Sequence, residues 1–288
     1  MRILLTGANG FIGGRLTSLL IEREHELTCL LRPGSTVPSG TSVIHEDLAR
    51  SEGLKKLPAI DTVIHLAQSH EYRNFPGGAA DILAVNTSAT AHLADLARRA
   101  EAQQFIFAST ASVYSGANGS CREEAKLKPH DFYAASKLAA ETLLRPYVRY
   151  FKVCVLRLFT PYGPGQRNRL IPTLTQRVRE HRPVTLDGEG RGLRLSVAYV
   201  DDVAATFQAA AEHGWQGTYN VAAAEPTSVQ DIAETIGRLL GENPMFVRTG
   251  EPEPSPLIAD LAHLANLHDL QGFRSLEQGL KSTMSIRL

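Results

Sequence analysis

A glycine series directly after a short apolar run, near the start of the chain, limits most strongly what this sequence can fold into. Residues 3–6 predict a strand, residues 11–23 predict an amphipathic helix, and the glycines stand at positions 7, 10 and 13. A turn of this kind presents backbone N–H groups and the positive end of a helix dipole to an anion, and a pyrophosphate is the expected anion. Gly7 permits the sharp turn, Gly10 lets the backbone approach the phosphate, and Gly13 lets the helix pack on the strand.

The spacing departs from the commonest dinucleotide-binding fingerprint, because Ala8 and Asn9 both lie between the first two glycines. Three glycines beside a strand end are also often no more than a loop. The position of the series at a first strand-to-helix turn favours dinucleotide binding, and the rest of the chain decides between the two interpretations.

The remaining chain alternates strand-like and helical runs, a pattern typical of βαβ units with right-handed crossovers. Strands are predicted at residues 27–31, 43–45, 62–66, 104–108, 153–158 and 218–221, and helices at 81–102, 131–150, 228–240 and 261–270. Glycine-rich segments at 161–165 and 188–192 are predicted to be loops over a pocket. The pattern predicts an α/β fold, a doubly wound parallel sheet of the Rossmann type with a smaller C-terminal substrate-binding lobe. We expect the dinucleotide-binding domain in residues 1–163, with 194–224 returning to it, and the substrate-binding lobe in 164–193 and 225–288.

Composition excludes several classes of partner. Lys+Arg and Asp+Glu number 30 each, so bulk charge recruits neither nucleic acid nor an anionic membrane. The three cysteines, Cys29, Cys121 and Cys154, are scattered and are predicted to be reduced packing residues. No leader-like segment precedes the first strand and no apolar run reaches membrane-spanning length, so we expect a cytoplasmic location.

The end of the second strand bears on the choice between NAD and NADP. An enzyme that prefers NAD usually has an acidic residue there, which accepts hydrogen bonds from the ribose and repels the extra phosphate of NADP. This chain has Leu31 and then Arg32, whose guanidinium is suited to a 2′-phosphate. The sequence therefore favours NADP, unless Arg32 is a solvated loop residue or stacks on adenine.

Asp47 is predicted either to accept from the adenine amino group or to act as a cap or turn residue.

The buried run TVIHL at residues 62–66 ends at Ala67, where ligands meet parallel sheets. The polar residues 68–70 are therefore expected near the cofactor or substrate. His65, inside the strand, is predicted to be a hydrogen-bonded core histidine rather than a base.

Tyr133 and Lys137 stand four residues apart on a predicted helix, which places their side chains on one face. An adjacent ammonium stabilises a phenolate and moves the phenol pKa toward the working range. Thr110 ends a central strand and is placed to hydrogen-bond the oxygen that Tyr133 protonates or deprotonates. These residues predict a proton shuttle for an alcohol or ketone, although Tyr and Lys at this spacing also occur on many helices by chance.

Eight segments, spread over nearly the whole chain, carry a family resemblance. They are TGANGFIGG at 6–14, DTVIHLA at 61–67, VNTSAT at 85–90, STASVY at 109–114, YAASK at 133–137, LRLFTPYGPG at 156–165, YVDDVA at 199–204 and YNVA at 219–222. With these segments the chain resembles the extended short-chain dehydrogenases/reductases, specifically the NAD-dependent epimerase/dehydratase group that acts on nucleotide sugars. The segments are specific for the family and much less specific for the reaction.

The resemblance implies a role for each matching residue. Tyr133 would be the acid/base, Lys137 would lower its pKa and hold the nicotinamide ribose, and Thr110 would be the catalytic hydroxyl. The implied contacts to NAD or NADP are Gly7, Asn9, Gly10, Phe11, Ile12, Gly13, Arg32, Asp47, Leu48, Leu66, Ala67, Tyr133 and Lys137. The implied substrate contacts are Thr110, Thr160 and Arg194, where Arg194 either meets the substrate diphosphate or is a surface arginine. No metal is expected, and relatives pair as homodimers through the two long helices.

Departures from the family pattern narrow the reaction. Sugar 4,6-dehydratases of the family carry Asp-Glu after the catalytic threonine, whereas this chain has Ala111 and Ser112, so dehydration is not expected. Thr160 stands where the family usually has asparagine, so the family pattern does not identify the sugar. Three functions stay open: a nucleotide-sugar epimerase, an NADPH-dependent reductase of a keto-deoxysugar or other small ketone, and a dinucleotide-binding redox sensor or scaffold.

Overall fold

The computed structural model describes residues 1–50, 54–114 and 119–285. Numbered along the chain, its strands are β1 (Arg2–Thr6), β2 (Glu26–Leu31), β3 (Ser42–His45), β4 (Thr62–His65), β5 (Gln104–Thr110), β6 (Ser120–Cys121), β7 (Lys152–Leu158), β8 (Pro161–Tyr162), β9 (Val184–Leu186), β10 (Arg194–Leu195), β11 (Ala198–Tyr199), β12 (Gly217–Val221), β13 (Thr227–Ser228), β14 (Phe246–Arg248) and β15 (Ile258–Ala259). Its α-helices are α1 (Phe11–Glu22), α2 (Ala79–Leu83), α3 (Ala89–Arg99), α4 (Phe132–Leu144), α5 (Leu170–Arg179), α6 (Val200–Glu212), α7 (Val229–Leu240), α8 (Ala262–Ala265) and α9 (Leu276–Ser285).

Seven of these strands form one sheet, in the order β12-β7-β5-β4-β1-β2-β3. The pairs β3/β2, β2/β1, β1/β4 and β4/β5 run parallel. From β1 the chain adds strands first toward β3 and then, from β4 onward, in the opposite direction. The switch point therefore lies between β1 and β4, which is where open α/β sheets bind their ligands. The predicted doubly wound sheet is confirmed.

The middle of the sheet is apolar on both faces because helices cover both sides. β4 is buried along its whole length, and β5 is buried up to its last residue, Thr110. One apolar cluster joins side chains of β1, β4 and β5 to those of α3 and α4. This packing fixes α4 against the carboxyl half of β5.

The segment predicted as one helix over residues 81–102 is interrupted. α2 passes into a π-helical turn at Ala84–Ser88 and then into α3, which ends at Arg99. The turn holds Asn86, whose side chain is fully buried. Glu101 has φ of 55°, a left-handed conformation that stops the helix. The predicted end at residue 102 is therefore wrong, and the π-helical turn is of a kind that often marks functional sites.

The helix predicted over residues 131–150 is shorter. Asp131 is its N-cap, and its carboxylate accepts from the Ala134 N–H at 2.6 Å. α4 ends at Leu144, and a 3₁₀ turn follows at Arg145–Arg149. Pro146 lies in that turn and supplies no N–H for the helical hydrogen-bond ladder, which explains the early end.

Two further corrections concern the C-terminal half. The helix predicted over 261–270 is reduced to the four residues of α8, and near its predicted end Asp269 accepts from the Gln271 N–H in a local turn. The sequence predicted no element between 166 and 187, where the structure has α5 and β9. Pro172 obscures α5 in the sequence, but it lies in the first turn, where proline is tolerated.

The chain divides into two compact units. The first comprises Met1–Ser115, Leu127–Arg157 and Ala204–Tyr219, and the second comprises Gly116–Lys126, Leu158–Val203 and Asn220–Leu288. Within the second unit, short strands pair as β6/β15, β8/β11 and β9/β14 in parallel and as β10/β13 antiparallel. No helix in the described ranges combines the length and the apolar character needed to cross a membrane.

The three cysteines are free and buried, as predicted. Burial raises the pKa of the Cys29 thiol to about 11 and also raises the pKa values of Cys121 and Cys154. These thiols are packing residues and do not ionise near neutral pH.

Candidate functional site

The turn between β1 and α1 depends on glycine at two positions. Gly7 has φ of 72°, and a Cβ there would lie 2.9 Å from the backbone nitrogen of Ala67. A Cβ on Gly13 would lie 1.9 Å from the carbonyl oxygen of Gly7. Gly10 donates its N–H to that same oxygen at 2.9 Å. Only glycine allows α1 to approach β1 this closely.

The N-cap residue of α1 is Gly10, which has no side chain to accept from the first turn. The first N–H groups of a helix have no partner within the helix, and their dipoles favour an anion. This open turn at the switch point fits the pyrophosphate of a nicotinamide dinucleotide. Asn9, Phe11 and Ile12, beside Gly10 and Gly13, would line that group.

The carboxyl end of β4 is tied to β1 through one hydroxyl. The Ala67 N–H donates to Thr6 Oγ1 at 3.1 Å, and the Leu66 N–H donates to the Thr6 carbonyl at 3.3 Å. Thr6 Oγ1 also lies 2.6 Å from Nδ1 of His65. Ala67 is thereby held next to the glycine turn.

His65 bridges this end of β4 to α3. Thr90 Oγ1 donates to the Asn86 carbonyl at 2.8 Å and so accepts from His65 Nε2 at 3.0 Å. Both ring nitrogens have a hydrogen-bond partner, and in a neutral ring Nε2 is the donor while Nδ1 accepts the proton of Thr6. Burial, and secondly the charge of Lys137, lower the pKa of His65 to about 3. The predicted core histidine is confirmed.

The end of β2 carries Arg32 in an exposed position directly after buried Leu31. Its Nη2 donates to Nε2 of His70, on the loop after β4, at 2.9 Å. Asp47 starts a 3₁₀ turn at Leu48–Arg50, and its carboxylate accepts from the Ala49 N–H at 3.0 Å. The structure gives Asp47 the cap role that the sequence allows, and its contact to adenine stays a prediction.

Tyr133 lies in the first turn of α4 and is partly buried. Its hydroxyl donates to Oε1 of Gln68 at 3.1 Å. The ring of Tyr72 meets the Tyr133 ring edge-on, with centroids 5.5 Å apart. The phenol oxygen therefore points toward the loop that follows β4.

Lys137, one turn further along α4, is 2% exposed. Its Nζ lies over the ring of Phe107 in β5, 4.5 Å from the centroid. Burial lowers the pKa of Lys137 to about 7, and the negative charge of Glu141 opposes the shift. The Lys137 side chain therefore changes between its charged and neutral forms near neutral pH.

Glu141 belongs to a buried ion pair with Arg157 of β7, and each side chain is 3% exposed. Arg157 Nε and Nη2 donate to the two carboxylate oxygens at 3.1 and 2.7 Å, and the Ser109 hydroxyl donates to the same carboxylate. Arg157 Nη1 donates to the hydroxyl of Tyr114 at 2.7 Å. Every charge is matched, so removing one partner would leave the other buried and uncompensated.

Asn86 ties the loop after β4 to α4. Its Oδ1 accepts from the Ser69 N–H at 2.8 Å, and its Nδ2 donates to Ser136 Oγ at 3.0 Å. The Ser136 hydroxyl in turn donates to the carbonyl of Tyr133 at 2.7 Å. The π-helical turn thus holds two segments in place: the loop after β4 and the first turn of α4, which carries Tyr133.

Thr110 is the last residue of β5, and α4 packs against this strand and the 3₁₀ turn at Ala111–Tyr114 that follows. Its Oγ1 donates to Ser112 Oγ at 3.3 Å and accepts from the Ser112 N–H at 3.2 Å. Thr110, Tyr133 and Lys137 accordingly lie in one unit with the glycine turn. Their catalytic roles stay predictions.

The two remaining candidate residues belong to the second unit. Thr160 is partly buried and has φ of 37°, which is unusual for a β-branched residue. Arg194 lies on β10 with an exposed side chain. Their contacts to substrate stay predictions.

The model of the NAD-dependent epimerase/dehydratase family matches residues 3–222, well over half of the chain. The chain belongs to the NAD-dependent epimerase/dehydratase family. The family resemblance of the eight segments is confirmed.

Two curated relatives align over almost the full chain. YtcB of Bacillus subtilis, an uncharacterized UDP-glucose epimerase, is 29% identical, with 99% of this chain and 97% of YtcB covered. The UDP-glucuronate 4-epimerase of Thermodesulfobacterium geofontis is 26% identical, with 98% and 94% covered.

Solved structures of epimerases share the fold. The Bacillus cereus UDP-glucuronic acid 4-epimerase, in complex with UDP-glucuronic acid and NAD, is 26% identical with a TM-score of 0.85, covering 99% of this chain and 98% of its own. The Thermus thermophilus UDP-glucose 4-epimerase, in complex with NAD, is 25% identical with a TM-score of 0.82 and the same coverage. Both complexes hold NAD, and nothing in them supports a preference for NADP.

Sequence reasoning missed two features of this epimerase/dehydratase chain. It grouped Gln68 with its neighbours without connecting it to Tyr133, and it did not find the pair of Glu141 and Arg157. A charged residue inside the apolar run VCVLRLF, together with a glutamate four residues after Lys137, was the available signal for the pair. No local signal identifies the contact of Gln68, because it depends on two segments far apart in sequence.

Proposed function

We propose that this protein is a nucleotide-sugar epimerase that uses NAD and inverts one carbinol carbon of the sugar. The observation that carries the proposal is the presence, in one unit, of a glycine turn that fits a phosphate, a partly buried phenol and a buried amine. A protein that only binds a dinucleotide has no use for a matched acid/base set, so a redox sensor or scaffold is not favoured.

The chemistry follows from the residues on α4 and β5. The nicotinamide ring, when bound, supplies a reversible acceptor for hydride. Tyr133 takes the hydroxyl proton while the hydride leaves the same carbon, so the carbinol becomes a ketone. Lys137 favours the phenolate while it carries its charge, and Thr110 orients the oxygen. When hydride returns to the opposite face and Tyr133 returns the proton, the carbon is inverted with no net oxidation.

The substrate is proposed to be a UDP-sugar of the UDP-glucose or UDP-glucuronate type, because epimerases that align over nearly the whole chain carry these names. Arg194 is the proposed contact to the diphosphate, since a guanidinium makes two parallel hydrogen bonds to phosphate oxygens. Thr160 is the proposed contact to the sugar. Dehydration is not favoured, because Ala111 is apolar and buried where dehydratases carry a carboxylate.

The first expected result tests the proton shuttle. Tyr133→Phe lowers turnover of UDP-glucose or UDP-glucuronate by roughly two to four orders of magnitude, because a positioned acid/base is lost. Conversion to the 4-epimer is followed by NMR, and bound nucleotide is identified after denaturation. Tyr150→Phe, at a tyrosine that is 63% exposed, is the matched control. Near-full activity of Tyr133→Phe would remove Tyr133 from the mechanism.

The second expected result concerns cofactor choice, on which two observations disagree. The solved neighbours hold NAD, whereas exposed Arg32 at the end of β2 favours NADP and, with it, an NADPH-dependent ketoreductase. If Arg32 pairs with a 2′-phosphate, Arg32→Ala weakens NADPH binding by roughly ten- to a hundredfold and leaves NADH nearly unchanged. Calorimetric titration of both proteins with both nucleotides gives the four affinities. A wild-type preference for NADH supports the epimerase, and equal losses mean that Arg32 only stacks on adenine.

We further propose that residues 1–163 and 194–224 form the cofactor-binding domain and that residues 164–193 and 225–288 form the substrate-binding lobe. A homodimer through α2, α3 and α4 is proposed from the exposed side chains of Leu83 and Leu143, which are 49% and 43% exposed. A cytoplasmic location stays a prediction.

A further inference from the structure

The phenol of Tyr133 makes a hydrogen bond to a carboxamide. The Tyr133 hydroxyl donates to Gln68 Oε1 at 3.1 Å, and Gln68 is partly buried. Gln68 lies on the loop after β4, while Tyr133 lies in the first turn of α4, so the contact joins two separate elements.

The loop that carries Gln68 is held firmly. The Ser69 N–H donates to Asn86, the Ser69 hydroxyl donates to Asp81, and the Glu71 N–H donates to Ser69 Oγ at 3.0 Å. Asn86 also reaches α4 through Ser136. The carboxamide and the phenol are therefore anchored to one buried asparagine, which fixes their separation.

A carboxamide suits both protonation states of a phenol. Its oxygen accepts from the neutral hydroxyl, and its NH₂ group donates to a phenolate after rotation about the last side-chain bond. A lysine ammonium only donates, and a carboxylate only accepts. Gln68 is therefore able to keep a hydrogen bond to Tyr133 before and after the proton moves.

We propose that Gln68 is a positioning residue for Tyr133, which holds the phenol in place and stabilises the phenolate through its NH₂ group. This inference rests on the proposed function, in which Tyr133 exchanges a proton with the sugar hydroxyl. Gln68 acts through Tyr133 and not on the sugar.

Other titratable groups surround the same phenol and must be separated from Gln68. Tyr72 meets its ring edge-on from the loop after β4, and Lys137 follows on α4. Glu141 on α4 acts on the pKa of Lys137, and the charge of Lys137 lowers the pKa of His65 on β4. Asp81 of α2 is engaged by the Ser69 hydroxyl. None of these side chains is altered by replacing Gln68.

Two variants of nearly unchanged size test the proposal. Gln68→Glu places a like charge beside the phenolate and raises the pKa of Tyr133 by about one pH unit or more. Gln68→Met removes the hydrogen bond and raises the pKa less. Both lower kcat by roughly ten- to a hundredfold with little change in KM. Gln103→Met, at an exposed glutamine directly before β5, is the matched control.

The pKa is read without substrate, from the ultraviolet absorbance of the phenolate. Subtracting the titration of the same protein carrying Tyr133→Phe isolates this one phenol. An unchanged Tyr133 pKa in both variants overturns the proposal, and so does a loss of kcat with an undisplaced pH profile, which would assign Gln68 a purely structural role. If the pKa shifts but no nucleotide sugar is turned over by the wild type, the proposed function fails and the role of Gln68 stands.

Discussion

Lys137 places a titrating ammonium in a nearly dry environment. Its side chain is 2% exposed, it lies over Phe107, and burial lowers its pKa to about 7. The unfolded chain holds this proton up to the ordinary lysine value of 10.5, whereas the folded chain begins to lose it near pH 7. Between these values the unfolded state binds more protons, so the contribution of Lys137 makes folding more favourable as the pH rises.

The third expected result follows from this difference. Lys137→Met raises the free energy of unfolding near pH 7, because it removes the cost of burying the charge. It also flattens the increase of stability toward alkaline pH, which a single lysine sets at up to about 1.4 kcal/mol per pH unit. Denaturant unfolding of both proteins across the window gives the two slopes. Equal slopes would show that Lys137 keeps an ordinary pKa in the fold.

The turn at the end of β1 is the element on which cofactor binding depends. A Cβ on Gly13 would lie 1.9 Å from the carbonyl oxygen of Gly7, so α1 must shift away from β1 to accept it. At neighbouring Gly14 the nearest atom, the Ala8 oxygen, would be 3.9 Å away, which is ordinary contact. Two adjacent glycines of one helix thus have opposite tolerance for a methyl group.

The fourth expected result uses this pair. Gly13→Ala destabilises the fold by about 1–3 kcal/mol through overpacking and weakens nucleotide binding, because the N–H groups of the turn move. Gly14→Ala stabilises it by roughly 0.5–1 kcal/mol through helix propensity and leaves binding intact. Thermal unfolding and nucleotide titration measure both. If Gly13→Ala binds nucleotide as tightly as the wild type, the close approach of α1 and β1 is not required.

For strands and helices, the sequence was sufficient to predict an element wherever the cause of its formation is local in the chain. The strands of the main sheet follow from apolar runs, and the start of α4 follows from Asp131 as a capping residue. Pro146 explains why α4 ends at Leu144, but only after the structure has shown the 3₁₀ turn at Arg145–Arg149. The interruption around Asn86 has no local cause, because the π-helical turn forms around hydrogen bonds to Ser69 and Ser136.

The same distinction holds for the candidate site. The glycine turn and the spacing of Tyr133 and Lys137 are local patterns and are visible in the sequence. The contact of Gln68 with Tyr133 and the positive φ of Thr160 both depend on tertiary packing. A β-branched residue such as threonine rarely adopts a left-handed backbone conformation, so the sequence does not predict one at Thr160.

For the molecule as a whole, buried His65 makes the free energy of unfolding depend on pH in the acid range. Its neutral ring links β1, β4 and α3, and its pKa falls from 6.5 to about 3. Below pH 6.5 the histidine of the unfolded chain binds a proton that the folded chain does not bind, so the free energy of unfolding falls as the pH drops toward 3.

The fifth expected result measures this loss. The wild type loses up to about 1.4 kcal/mol per pH unit from His65 between pH 6.5 and 3, and His65→Gln is less stable at neutral pH but has a smaller acid slope. Denaturant unfolding at several pH values compares the slopes. Parallel curves would mean that His65 is protonated without cost in the folded protein.

Because Cys29, Cys121 and Cys154 are buried and their pKa values are raised, the wild-type chain contains no thiolate that a maleimide reaches readily. A cysteine introduced at an exposed position would then be labelled selectively without first replacing the natural three. With one such label in each compact unit, fluorescence transfer or paired spin labels would report the distance between the units, and its change when nucleotide or sugar is added, on an otherwise native background.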